Sequence, residues 1–153
     1  MEDTKILKTA LCSFCEHYVR NRISRIRKNM DQLLESLNSE TKSSAGDKHE
    51  TGRAMVQLER EKLGEQLLEA EKTERVLRGV NIDKNSSVAR LGSLVNTTAE
   101  CYFLAVSAGE FKGDGKRVYC ISLQSPIGQH LLGKSPGDTF KLNDSTIEVT
   151  EVI

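Results

Sequence analysis

The feature that most constrains the fold is a repeat of apolar residues, at steps of three and four, along the first half of the chain. Such spacing places apolar side chains on one face of a helix and is the pattern of a coiled-coil seam. Two series occur: Leu7, Leu11, Phe14, Tyr18, Val19, Ile23, Ile26, Met30, Leu33 and Leu37, then Val56, Leu63, Leu67, Ala70 and Leu77. They predict an antiparallel helical hairpin over residues 1–79, with its tip at about residues 39–50. Helices of about 30 to 34 residues would make this hairpin roughly 45 to 50 Å long.

The second half of the chain follows a different pattern. A connector of turn formers, GVNIDKNSS, ends the helical repeat, and we predict a linker over residues 80–87. Short runs rich in Val, Ile, Thr, Tyr and Phe then predict strands. These runs are LGSLVNTT, CYFLAVSA, RVYCISLQ, TFKL and STIEVTEVI, and the segments between them, GEFKGDGK, KSPGD and ND, are typical of turns. The predicted fold is therefore α+β, with the hairpin followed by a small antiparallel β domain over residues 88–153.

One segment of the β domain, SPIGQHLLGK, predicts a short helix instead of a strand. Ser125 can cap the helix, Pro126 suits its first position, and Gly133 can take the left-handed conformation that ends it. We expect this helix to pack on the sheet.

The distribution of charged residues argues against several classes of protein. Basic and acidic residues number 22 each, so no overall basic field indicates a nucleic-acid partner. The first residues, MEDTKILKTALCSFC, begin acidic and are interrupted by charge, which predicts neither a signal peptide nor a membrane span. We therefore expect a soluble, cytoplasmic protein without a membrane partner.

The four cysteines are expected to have a structural role. Cys12 and Cys15 form a CxxC pair, but Cys101 and Cys120 lie far downstream and do not supply the second close pair of a zinc site. Two thiols three residues apart share a helix face, so we predict that they pack as small side chains. Neither Cys101 nor Cys120 precedes a helix start that would lower its pKa, which argues against a cysteine acyl-transfer enzyme.

The polar stretch between the two seams, KSSAGDKHETGRAM, carries the carboxylates of Asp47 and Glu50 three residues apart. One interpretation is a capping box, in which each side chain accepts a hydrogen bond from the other residue's backbone amide. The other is a contribution to a Mg²⁺ site, since Mg²⁺ is typically held by one or two carboxylates together with phosphate oxygens and water. Glu40 is a further acidic candidate.

A basic run, Arg20, Arg22, Arg25, Arg27 and Lys28, is either a solvated helix face or a contact surface for RNA or acidic protein walls.

These motifs resemble the Gre transcript-cleavage factors of bacterial RNA polymerase. LGSLVNTT, followed by SPIGQHLLGKSPGDTFKL and TIEVTEV, is similar to their C-terminal domain, and the order of hairpin and β domain matches over nearly the whole chain. The resemblance implies an FKBP-like β domain that lacks prolyl isomerase activity and docks at the rim of the polymerase secondary channel. It also implies that the hairpin tip reaches the catalytic centre, where the polymerase cleaves backtracked RNA.

The resemblance assigns roles to particular residues. Asp47 and Glu50 would help to hold Mg²⁺ in the polymerase active site, and Ser125, Pro126 and Ile127 would contact the polymerase. We therefore predict a monomeric elongation factor that is not itself an enzyme, has no tightly bound cofactor, and acts on the 3′ end of nascent RNA indirectly. Because the tip is longer on its first-helix side than in the family, one alternative stays open: a polymerase regulator that occupies the channel without stimulating cleavage. A second alternative is a coiled-coil adaptor whose hairpin pairs with another copy.

Overall fold

The computed structural model describes the backbone of residues 2–43, 47–113 and 115–153, and the side chains of residues 2–39, 51–113 and 115–153. Two long helices come first, α1 (Glu2–Ser43) and α2 (Asp47–Arg78). They are followed by β1 (Leu94–Thr97), β2 (Cys101–Ala105), β3 (Gly109–Gly113), β4 (Lys116–Ser122), α3 (Pro126–Leu131), β5 (Thr139–Leu142) and β6 (Ser145–Val152). The predicted α+β class, a helical hairpin followed by a β domain with one short helix, is confirmed.

The chain divides into two compact units that do not coincide with the change from helix to strand. One unit comprises Val19–Glu74, and the other combines Met1–Tyr18 with Arg75–Ile153. The first turns of α1 and the last turn of α2 therefore belong to the same unit as the sheet. The division at residues 79, 87 and 88 follows the change of sequence pattern and stays a prediction.

The unit of residues 19–74 is a two-helix hairpin with an apolar seam. Val19, Ile23 and Ile26 of α1 are buried, as are Leu63 and Ala70 of α2, which agrees with the predicted spacing. The helix α1 has 42 residues, however, and is longer than the 30 to 34 expected. The stretch before Ser43 contains neither glycine nor proline, so no residue there interrupts the helix.

The six strands described form one sheet in the order β3-β4-β2-β1-β6-β5. Most neighbouring strands are antiparallel, as predicted, but β2 and β4 run parallel and pair Phe103 with Cys120. The connection between them is β3, which folds back on β4 as an antiparallel hairpin. The sheet is therefore mixed rather than purely antiparallel.

The prediction that the whole of GEFKGDGK is a turn was wrong, because its first five residues form β3. Within this strand Glu110 and Lys112 are exposed, whereas Phe111 is half-buried and its ring meets that of Phe14 edge-on at 5.4 Å. A single apolar residue between two charged ones is a weak strand signal, and its partner Phe14 comes from a distant part of the sequence.

The core of the sheet unit forms between the strands and α3. Val95, Leu104, Val149 and the α3 residue Leu131 are fully buried within it. Local turn chemistry supports this arrangement at the β5–β6 hairpin, where Asn143 and Asp144 have φ angles of 49° and 67°. Both values are typical of a two-residue hairpin turn, so the predicted ND turn is confirmed.

Candidate functional site

The turn that leads from β4 into α3 is held by Ser125. The Ser125 Oγ accepts a hydrogen bond from the Gly128 amide at 3.1 Å and donates one to the Ser122 carbonyl oxygen at 2.6 Å. Pro126 occupies the start of the helix, so the cap predicted from the sequence is confirmed. Because both hydrogen bonds lie within the turn, the Ser125 hydroxyl stabilises the shape of this loop.

Gly128 allows α3 to lie directly against the end of β4. A Cβ atom at this position would be 2.0 Å from the Ser122 carbonyl oxygen and 2.9 Å from Leu123 Cα. Real Cβ atoms essentially never approach other atoms within 3.0 Å, so a larger residue would displace the helix. The positions of Pro126 and Ile127 therefore depend on a glycine that follows them.

The surface around α3 exposes apolar side chains. Pro126 is exposed, and Ile127 is half-buried against the core. Leu132, directly after α3, is 49% exposed. Val88 is 42% exposed and lies nearby, since the backbone of its neighbour Ala89 pairs with Gly133 and Lys134 at 2.8 Å. We call Val88, Pro126, Ile127 and Leu132 the α3 surface.

Sequence reasoning identified Pro126 and Ile127 of this surface and missed Leu132 and Val88. The adjacent leucines of SPIGQHLLGK contained a usable signal. Consecutive residues of a helix point about 100° apart, so the two leucines face different directions and one of them was a candidate for exposure. The structure buries Leu131 and exposes Leu132.

The basic run on α1 is divided between different faces of the helix. Arg20, Arg27 and Lys28 line one hollow of about 430 Å³ together with Asp31 and Glu74. This arrangement follows from the spacing of Arg20 and Arg27, which are two helical turns apart. The hollow carries three basic and two acidic side chains, so it favours an anionic partner only moderately.

The other two basic residues lie apart from the residues that line this hollow. Arg22 is half-buried, and its Nη2 lies 3.9 Å from the Glu69 Oε2 atom across the hairpin. Arg25 is exposed. The structure thus brings together three of the five predicted contact residues.

The predicted acidic pair lies at the beginning of α2. Asp47 is the first residue of that helix and Glu50 is in its first turn, while the side chains of both residues, like that of Glu40, lie outside the described residues. Their role in metal binding therefore stays a prediction. Among the side chains of residues 2–39, 51–113 and 115–153, no group of three or more His, Cys, Asp or Glu residues is arranged to hold a metal ion.

The cysteines are free thiols that pack in or near the core. Cys15 and Cys120 are buried and hydrogen-bonded to each other; this bond lowers the pKa of Cys15, whereas the same bond and burial raise the pKa of Cys120. Burial also raises the pKa of Cys12 and of Cys101 to about 11. Thiols with such a pKa are protonated at neutral pH and are weak nucleophiles.

Comparisons with known proteins give little further information. No family model matches the chain, and no curated protein matches it. One solved structure, described as prokaryotic transcription elongation factor GreA/GreB from Nitrosomonas europaea, is similar over 54% of this chain and 78% of that chain, with 23% sequence identity and a TM-score of 0.32. An identity and a TM-score this low do not establish a shared family. Within the described part of the chain, no helix has the length and apolar character needed to cross a membrane.

Proposed function

We propose that this protein is a transcription elongation factor that binds bacterial RNA polymerase at its secondary channel and stimulates the cleavage of backtracked RNA. The observation that carries the proposal is the order of structural elements along this chain. A helical hairpin has an acidic pair at the start of its second helix, and it is followed by a sheet domain that contains the SPIGQHLLGK helix. This arrangement supports the resemblance drawn from the sequence motifs.

Asp47 and Glu50 would act at the hairpin tip. Residues three apart in a helix share a face, so their two carboxylates can approach the same ion, and the donor set suits a hard cation such as Mg²⁺. When held by these residues and by the polymerase, Mg²⁺ would lower the pKa of a bound water for attack on the phosphodiester. Asp47 and Glu50 would position the ion, and the polymerase would remain the enzyme.

The other two surfaces would contribute to binding. The α3 surface offers apolar contacts that the polymerase rim could bury, and Gly128 and the Ser125 cap would keep Pro126 and Ile127 in place. On the hairpin, Arg20, Arg27 and Lys28 would face phosphates of the RNA or acidic walls of the channel. Hairpin contacts of this kind should weaken as salt is raised, whereas the α3 contacts should not.

The decisive experiment uses a backtracked elongation complex assembled with the polymerase of the source organism. Cleavage of labelled RNA is followed with Mg²⁺ and either the wild-type protein or a variant that carries Asp47→Asn and Glu50→Gln. Glu59→Gln, an exposed position on the same helix, is the matched control. We expect faster cleavage with wild type and control, and no acceleration with the double variant. Equal acceleration by the double variant would refute the proposed role of the tip.

Binding must be measured in the same samples. Polymerase binding without any faster cleavage would favour a regulator that only occupies the channel. The coiled-coil adaptor is favoured by one observation, since the hairpin exposes Met55, Leu58 and Leu68 by 69%, 58% and 52%. If these side chains mediate self-association, light scattering will give the mass of a dimer, whereas the elongation factor is expected to be monomeric.

A further inference from the structure

One face of the sheet lies against the first turns of α1, on the side opposite the core with α3. The register pairs Val118 with both Cys101 and Phe111, so these three side chains point to this face. Along β2, Tyr102 and Leu104 point the other way, into the core with α3. The helix covers only part of the face, and a cavity of about 700 Å³ remains between helix and sheet. Such a volume is typical of small-molecule sites.

Apolar side chains line both walls of this cavity. The wall formed by α1 contains Ile6, Leu7 and Ala10, and the sheet wall contains Phe111 and Val118. Ile6 is exposed, and Leu7, Ala10 and Phe111 are half-buried, so all four retain surface that a ligand can cover. All of the lining residues belong to the sheet unit. Removing apolar surface from water is favourable, so the cavity suits a ligand with an apolar body.

The ring of Phe111 is held in place as part of the sheet wall. It meets the ring of Phe14 edge-on at 5.4 Å. It also lies directly over Gly113, where an added Cβ atom would be only 2.8 Å from the ring. Because the ring is already fixed on two sides, a ligand that packs on it causes little further loss of side-chain freedom.

Charged side chains at the rim of the cavity balance one another. The described residues that line it carry two carboxylates and two cations, all exposed, on Asp3, Glu151, Lys116 and Arg117. Arg117 is already paired, since its Nη2 lies 3.2 Å from the Glu100 Oε1. The Glu151 Oε1 accepts a hydrogen bond from the Asn96 Nδ2 at 2.9 Å. This rim therefore offers a ligand neither a net positive nor a net negative charge.

The thiol of Cys101, which also lines the cavity, adds no charge. Burial raises the pKa of Cys101 to about 11, so the thiol is protonated at neutral pH. A charged ligand would lose its hydration in the cavity without gaining an opposite charge, whereas an uncharged ligand would not incur this cost.

We propose that this cavity binds an uncharged, largely apolar small molecule between the Phe111 ring and the first turns of α1. Phe111, Leu7 and Ala10 contact its apolar body, and the hydroxyl of Thr4 is suited to hydrogen-bond one polar group. The proposal does not depend on binding to a polymerase, because none of these residues belongs to the hairpin tip or to the α3 surface.

Two dyes that share one aromatic skeleton test the proposal. Phenylnaphthylamine is uncharged, whereas anilinonaphthalene sulfonate carries an added negative group. Each dye is titrated with the full-length protein, and its fluorescence gives the affinity. We expect saturable binding of phenylnaphthylamine and at least about 10-fold weaker binding of the sulfonate. The absence of saturable phenylnaphthylamine binding, or equal affinities of the two dyes, would overturn the proposal.

Alkylation by iodoacetamide shows where the uncharged dye binds. Cys12 and Cys101 are both half-buried thiols with a pKa raised to about 11, and of the two it is Cys101 that lines the cavity. Saturating phenylnaphthylamine should slow the alkylation of Cys101 several-fold and leave that of Cys12 unchanged, as measured by mass spectrometry of peptides. Unchanged alkylation of Cys101 would place the dye elsewhere and overturn the proposal.

Variants of the α1 wall complete the test. Ala10→Leu keeps a good helix former and fills part of the cavity, so it should fold and weaken dye binding about 10-fold. If Ala10→Leu unfolds, Ile6→Ser at a position 67% exposed remains available and should weaken binding several-fold. Val76→Ser, at another exposed apolar position of the sheet unit, is the matched control and should bind like wild type. The proposal is overturned if every folded cavity variant binds the dye as tightly as wild type.

Discussion

Gly128→Ala should destabilise the sheet unit strongly, because the added methyl group has no space. Its Cβ would lie 2.0 Å from the Ser122 carbonyl oxygen, where at least 3.0 Å is needed, so the helix and the strand end must separate by about 1 Å. Such a shift disrupts the hydrogen bonds between Gly128 and Ser125 at 3.1 Å and between Ser125 and Ser122 at 2.6 Å. At about 1 kcal/mol for each bond, with about 1–3 kcal/mol for overpacking, the free energy of unfolding should fall by about 3–5 kcal/mol.

Urea unfolding followed by tyrosine fluorescence measures this loss. The protein has no tryptophan, and two of its three tyrosines, Tyr102 and Tyr119, lie in the sheet. Gly133→Ala is the matched control, since that position has open space but a φ of +84°, and only backbone strain of about 1–2 kcal/mol is expected there. If Gly128→Ala unfolds within about 0.5 kcal/mol of wild type, the close contact between α3 and Ser122 is not as described.

Three further substitutions test separate parts of the argument by the same unfolding assay. Ser125→Ala should cost about 1 kcal/mol through loss of the helix cap, and an unchanged midpoint would show that the cap is not stabilising. Phe103→Ala, at a fully buried core position, should cost about 3–5 kcal/mol, and a loss below about 1 kcal/mol would contradict its burial. Lys8→Met should stabilise the protein by about 1–3 kcal/mol near pH 7, since it removes a buried ammonium group beside the positive charge of Arg90. Because the pKa of Lys8 is lowered on folding, the free energy of unfolding of the wild-type protein rises with pH between that lowered pKa and 10.5. The stability difference between Lys8→Met and wild type should therefore shrink over this pH range. A difference that stays constant would contradict the pKa shift.

Much of the fold follows from interactions between residues close together in the chain. The apolar spacing of residues 19–37 predicts the hairpin seam because a helix repeats every 3.6 residues. The cap at Ser125 and the turn at Asn143 and Asp144 are equally local, since each depends on the backbone preferences of two to four residues. The place of Pro126 at the start of α3 follows from the same local preferences, whereas the docking role proposed for Pro126 and Ile127 rests on the resemblance to the Gre factors.

Other features of the fold could be recognised only from the packed structure. The parallel pairing of β2 with β4 depends on contacts between distant segments, and the strand character of β3 depends on Phe111 meeting Phe14. The sequence pattern does not indicate the parallel pairing, because an antiparallel hairpin and a parallel pair can use the same alternation of residues. It gives only a weak strand signal for β3, a single apolar residue between two charged ones. The same limit applies to Leu132, whose exposure is decided by which of two adjacent leucines faces the core.

The sequence by itself determined the α+β class, the two helical seams and the capped helix at Ser125. It also supplied the candidate residues, which are the acidic pair Asp47 and Glu50 and the basic run from Arg20 to Lys28. Only the tertiary structure decided that Lys8, a surface residue by composition, is buried without a partner, and that Cys15 meets Cys120 across the sheet unit. The physical reason is that periodicity and capping act over one or two helical turns, whereas burial and charge pairing depend on all the segments that pack around a side chain.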